Sequence, residues 1–249
     1  MTAVAAPAEL PAPFTWAGDH VAIDLGHGAH ALFTGRRGGV SPAPYASLNL
    51  EPRSDDDPAA VAENRARVAA AAGVEEVLSA RQVHGTRVAR DGDDAAEADG
   101  HVTARAGVGC LVLTADCLPV PLAADGAVAM VHAGWKGLSA QILREGVAKL
   151  RSFVADGAAI SGAIGPCARG CCYEVQDDVR EALGVAPLGR PAPIDLPALA
   201  REQLRAAGVT TVHDCRLCTM CTDRSLFFSH RRDGPVTGSQ GGIAWRRPR

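Results

Sequence analysis

The chain has 249 residues, 28 acidic and 25 basic side chains, and a formal net charge of −3. That length buries a full core, either as one large domain or as two small ones, and the charge balance gives no basic footprint for nucleic acid. No stretch approaches the roughly 20 uninterrupted apolar residues of a membrane helix. The N-terminus lacks the basic start and apolar run of a secretory leader, so the expectation is a cytoplasmic protein. Only Lys136 and Lys149 are lysines among the basic residues. Arginine suits phosphate and carboxylate, but the abundance of Ala, Gly and Pro makes composition bias the simpler cause.

In chain order, residues 1–13 are rich in Ala and Pro and read as a loosely attached segment ahead of a single catalytic domain over 14–249. Strands are predicted at Val21–Leu25 and Ala29–Thr34, then a Gly/Pro-rich loop from Gly35 to Tyr45. Asp57 as N-cap, Pro58 in the first turn and Gly73 as a stop frame a helix. Strands follow at Cys110–Thr114, Pro119–Ala123 and Ala127–Ala133, and a helix from a Ser139 cap to Gly157. Next come a strand at Ala159–Ile164, helices at Val175–Leu183 and Pro197–Ala207, and a strand at Val209–His213. Further strands are expected near Leu226–His230 and Gly241–Trp245. The mixture of hairpins and helices, with no internal repeat and no linker, predicts one α+β domain with helices packed on sheet faces.

The stretch LTADCLPVPLAADGAVAMVHAGWKG (113–137) holds a cysteine and a histidine at the outer ends of two apolar runs about Asp125-Gly126. An Asp-Gly step between apolar runs is a strong hairpin signal. With a two-residue loop, Ala124 pairs with Ala127 and His132 with Pro119. Cys117 then points to the same face, diagonal to His132, where side-chain tips come within reach of one ion. A one-residue slip would put the two on opposite faces. ARQVHGTRV offers His84 at a strand tip as a third ligand. Two imidazoles and a thiolate would leave a zinc ion one open position, as in catalytic sites. Packed or hydrogen-bonded side chains are the alternative that spacing alone leaves open.

Other residues carry weaker signals. Asp116 precedes Cys117 in an apolar run and suits either a carboxylate orienting His84 or His132 or a satisfied buried Asp. Arg65 falls on the apolar stripe of its helix with Val61, Val68 and Ala72. It needs a carboxylate partner or an anion-binding pocket, and the pocket is preferred. Asn49 in SLNL is its companion candidate. Arg231 and Arg232 before Asp233-Gly234 read as a solvated hairpin end. Cys215, Cys218 and Cys221, with Cys167, Cys171 and Cys172 upstream, suggest an iron–sulfur cluster or a second zinc. No C-x3-C-P follows, and structural thiols are preferred.

The motifs SLNL, VAENRARV, RQVHGTRV, ADGHVT, TADCLPV, VHAGWKG, IGPCARGCCYEV and CTMC…LFFSHRRDG…TG occur in this order from Ser47 to Gly238. With them the chain resembles the bacterial family once named multicopper polyphenol oxidoreductases (laccases). Its members are now described as purine nucleoside phosphorylases with adenosine deaminase activity, and some as peptidoglycan editing factors. The resemblance implies a multilayer α/β sandwich with mixed sheets, and metal ligands at His84, Cys117 and His132. It departs from the family at Lys136 and Ser239, where arginines are usual, and in NLEPRSDDDP, where a Gly-containing turn is common.

The implied reading is a zinc-dependent enzyme acting on purine nucleosides and inorganic phosphate, with Arg65 and Asn49 toward the phosphate and Asp116 near the metal. One alternative is an amidase editing a nucleotide-linked muramoyl precursor. Another is a metal-free cysteine hydrolase using Cys117 and His132, and a third a metal-stabilised binding module without turnover. Copper oxidation is disfavoured, because the chain has eight histidines and no His-x-His pair.

Overall fold

The computed structural model describes residues 9–247. The first half contains β1 (Thr15–Ala17), β2 (His20–Gly26), β3 (Ala29–Phe33), α1 (Pro58–Ala72), β4 (Glu76–Leu78), β5 (Ala89–Arg90), β6 (Gly100–Thr103), β7 (Val108–Thr114) and β8 (Leu118–Ala124). Then follow β9 (Ala127–Ala133), α2 (Trp135–Ser139), α3 (Ile142–Arg151), β10 (Ser161–Ile164), β11 (Glu174–Val175) and α4 (Asp177–Ala182). The last elements are β12 (Ala192–Pro193), α5 (Leu196–Ala206), β13 (Thr211–Asp214), α6 (His230–Asp233) and β14 (Gln240–Arg246). Two six-stranded mixed sheets run in the orders β1-β2-β3-β14-β7-β4 and β13-β10-β8-β9-β6-β5, and β11 pairs with β12.

Strand alternation sorts the apolar side chains into layers. Ile23, Phe33, Cys110, Val112, Val128, Met130 and Ala244 fill the space between the two sheets. On the opposite face of the first sheet, Leu111, Leu113 and Ile243 pack on Val68 and Ala72 of α1. On the outer face of the second sheet, Val120, Leu122, Ala129 and Val131 meet Leu143 and Val147 of α3 and Leu204 of α5. The result is a helix–sheet–sheet–helix sandwich: the α+β arrangement that the pattern of elements predicts and the multilayer form that the resemblance implies.

Helix α1 has the predicted caps: the Asp57 side chain accepts from the Ala59 amide, and Gly73 closes the helix at φ 67. The helix expected from a Ser139 cap to Gly157 is instead two helices. Ser139 ends α2 and turns its hydroxyl back to the Lys136 carbonyl. Gln141 then takes a left-handed φ of 66, and α3 stops at Arg151. Leu226–Phe228 does not form a strand. The Gln240 side chain bonds both the amide and the carbonyl of Phe228, which replaces a strand partner there, and residues 230–233 turn as α6. Of the segment read as loosely attached, residues 1–8 lie outside the described residues, whereas Leu10 packs against the inter-sheet core.

His101, buried opposite Met130 on β6, is held by desolvation at a pKa of about 4 instead of its ordinary 6.5. The folded state therefore disfavours the proton that the unfolded chain binds below pH 6.5. The stability this contributes is complete above that pH and is lost as pH falls toward 4. Urea denaturation at pH 7 and pH 5 is expected to show His101→Gln losing about 2 kcal/mol less between the two pH values than the parent chain.

Candidate metal centre

Hairpin β8–β9 has the register that places the site. Ala124 pairs with Ala127 and Pro119 with His132, around an Asp125-Gly126 turn in which Gly126 takes φ 102. His132 shares the inner face of β9 with Val128 and Met130. Cys117 lies just before β8, where the chain crosses from the first sheet to the second. His84 lies on another such crossing, between β4 and β5. One ligand atom from each of His84, Cys117 and His132 lies within 4.8 Å of the others. The thiol of Cys117 is 3.9 Å from His84 Nε2, and the two imidazoles meet edge to face with centroids 4.8 Å apart.

Asp99, at the start of β6, holds both histidines. Its fully buried carboxylate accepts the amides of Val83 (3.2 Å), His84 (2.9 Å) and Gly85 (2.8 Å), and His132 Nδ1–H at 2.8 Å. Its main-chain carbonyl accepts the His132 amide. Burial opposes the charge, but His132 and these amides outweigh it and hold the carboxyl below the usual carboxylate range. The carboxylate fixes His132 as the tautomer whose Nε2 is free to face Cys117. It also secures the peptide turn at His84, whose φ is 57. Gln82 ties the same loop to β7, donating to the Leu113 carbonyl and accepting its amide.

Without an ion, Cys117 and His132 polarise one another. Burial would push the thiol up, but the facing imidazoles of His132 and His84 bring it down to about 6. Burial would pull His132 down, yet Cys117 and Asp99 raise it to about 9. The order Asp99, His132, Cys117 is also that of a thiol hydrolase. A second imidazole on the same sulfur is what such a triad does not need and a metal site does. Among the described residues no fourth ligand completes the group. Gly134 approaches closely, since a Cβ there would lie 2.9 Å from the Cys117 sulfur and 3.0 Å from His84 Cδ2.

The trio opens into a cavity of about 500 Å³ lined also by Arg53, Thr114, Asp116, Trp135, Lys136, Tyr173 and Arg231. Asp116 orients neither histidine. At φ 110 its carboxylate turns the other way, accepting from Thr219 Oγ1 (2.6 Å), Ser229 Oγ (3.0 Å) and the Arg231 amide (2.8 Å). Asn49 and Arg65 stand outside this cavity. Asn49 is buried and bonds Ser54, Asp56 and the amides of Glu51 and Ser239. Arg65 donates to the Leu50 carbonyl and to Ser79 and lines a separate cavity. Neutral protein acceptors thus take up hydrogen bonds of Arg65, with Glu51 the nearby opposite charge. Arg231 and Arg232 lie on the short helix α6 and not at a hairpin end, and of the two only Arg231 is exposed. Arg231 lies over the Tyr173 ring, and the Arg232 side chain, 5% exposed, donates to the carbonyls of Thr219 and Phe227.

The chain matches the family described as multi-copper polyphenol oxidoreductase laccase over residues 30–247. It belongs to that family. It is 41% identical over 235 residues to a protein named purine nucleoside phosphorylase ORF3 of Streptomyces griseus, covering 87% of this chain and 94% of the relative. A purine nucleoside phosphorylase of Deinococcus radiodurans is 40% identical over 218 residues, covering 83% and 85%. Among solved structures, YfiH of Bacillus licheniformis superposes with a TM-score of 0.86 at 30% identity, covering 95% of this chain and all of that one. YlmD of Geobacillus stearothermophilus gives 0.83 at 34%, covering 94% and 98%. No helix among the described residues is long and apolar enough to cross a membrane.

Asp99→Ala is expected to leave three amides and the His132 Nδ1–H without their acceptor and, if the trio holds a metal ion, to weaken its binding 10- to 100-fold. Competition titration against a chromophoric chelator checks this, and unchanged affinity would show that Asp99 does not organise the ligands.

Proposed function

We propose that this chain is a zinc-dependent purine nucleoside phosphorylase, and that the same cavity also deaminates adenosine. The observation that carries the reading is the His84, Cys117 and His132 group opening into a cavity walled by aromatic rings and cations. The curated relatives' shared name supports the same reading. The donor set fits zinc, since two imidazole nitrogens and a thiolate are its ordinary ligands. A zinc ion held there supplies Lewis acidity and lowers the pKa of water to about 7.

The chain's own residues then bind and position. Trp135 and Tyr173 line the cavity that a purine would enter. The Lys136 ammonium stands over the Trp135 ring, 5.6 Å from its centroid, and the Arg231 guanidinium over that of Tyr173 at 4.7 Å, so a cation beside each ring is placed to meet phosphate. In phosphorolysis a phosphate oxygen bonds to C1′ of the ribose as the bond to the purine breaks, and the base departs with a proton. In deamination water adds at C6 and ammonia leaves.

Turnover of adenosine with phosphate, measured beside bound zinc, tests this. His84→Ala, Cys117→Ala and His132→Ala are each expected to lose both. Arg231→Ala and Lys136→Ala are expected to keep zinc and to raise the KM for phosphate about tenfold, the effect of losing roughly 1.4 kcal/mol of binding. Full activity in the metal-free triple variant would refute the assignment.

A further inference from the structure

Away from the candidate metal centre, two loops bring four more cysteines together. Cys171 and Cys172 are adjacent in the loop after β10, and Cys218 and Cys221 form a C-x2-C turn in the loop after β13. We propose that Cys171, Cys172, Cys218 and Cys221 form a second metal site, a structural tetrathiolate zinc centre. It is independent of the activity proposed above.

The sulfurs converge on one point. Cys221 Sγ is 2.8 Å from Cys172, 3.1 Å from Cys171 and 3.5 Å from Cys218. Cys172 is 3.5 Å from Cys218 and 3.6 Å from Cys171, and all four lie within 4.8 Å of one another. Zinc–sulfur bonds of about 2.3 Å in a tetrahedron put sulfurs about 3.8 Å apart, so an ion enters with sulfur movements of about 1 Å or less. Two disulfides would draw the sulfurs into two separate pairs, whereas Cys221 is shared by three neighbours. A multi-iron cluster spreads its thiolates over several irons, wider than this group. Cys167 and Cys215, which the spacing placed among the candidates, are buried elsewhere in the core.

The protein frame holds this arrangement in place. The Cys167 amide donates to the Leu217 carbonyl, and the Cys167 carbonyl accepts from the Thr219 amide, pairing the two loops. Below them Arg169 binds Asp214 through two nitrogens, at 2.9 and 2.7 Å. Cys171 and Cys221 are exposed, which gives an ion its entry.

The centre also bears on the other cavity. Tyr173 follows Cys172, and its ring carries Arg231. Thr219 follows Cys218, and its hydroxyl donates to Asp116, the neighbour of Cys117. An ion bound by the four thiolates fixes both loops of that wall.

The full chain, loaded with zinc and freed of excess by buffer exchange, is expected to hold two zinc ions by elemental analysis. Cys218→Ser with Cys221→Ser is expected to reduce this to one, and His84→Ala with His132→Ala likewise to one. Because the cysteine variant risks misfolding, cobalt(II) added to the folded Cys117→Ser chain gives a second readout, the intense thiolate-to-cobalt absorption of a tetrahedral sulfur site. A single zinc per wild-type chain that the Cys218→Ser, Cys221→Ser variant retains, no such absorption, or a non-reduced intact mass lowered by disulfide formation would each overturn the proposal.

Discussion

A single buried carboxylate holds the site together. Asp99 lies under the loop that carries His84 and beside the strand that carries His132, and it accepts from both. An unpartnered carboxylate in that position would be costly, and each donor it gathers offsets part of the cost. The two imidazoles are therefore fixed relative to one another before any ion arrives. The third candidate ligand, Cys117, comes from the other chain crossing, at a distance that a glycine at 134 permits.

This geometry follows from the layering. The three candidate ligands come from two crossings between the sheets and from one strand of the second sheet, so they meet where loops leave the inter-sheet core. His132 is buried, Cys117 half-buried and His84 exposed, a gradient that points the group's open side into the cavity. A rigid hairpin fixes one ligand, and hydrogen-bonded loops supply the other two and the cavity wall. Function placed on loops above a packed scaffold is a common division of labour.

The sequence was most readable where the controlling interactions were local. The Asp125-Gly126 turn sets a register in which His132 faces Pro119, and residues close to the turn suffice to read it. The Asp57 cap, Pro58 and Gly73 delimit α1 in the same way. Asp99 escaped because the groups it binds are 14 to 33 positions away, and ADGHVT reads alone as a turn before a short strand. Asp116 was the more conspicuous acid, but its left-handed backbone aims the carboxylate at Thr219 and Ser229. The bonds of Arg65 and Asn49 were hidden for a related reason: their acceptors, the Leu50 carbonyl and Asp56, come into place only when the NLEPRSDDD loop folds. The Ser139 helix failed because α2 starts directly from the end of β9 at Gly134 and leaves Ser139 at a C-terminus.

Anomalous diffraction at the zinc absorption edge, from crystals of the wild-type chain grown with zinc, tests the central claim most directly. The expected result is a peak bonded to the Cys117 sulfur and to one ring nitrogen each of His84 and His132, with Asp99 still on His132 Nδ1 and the remaining side facing the cavity. A chain with no peak among these residues, or with the thiol or either imidazole turned away from the ion, would contradict it.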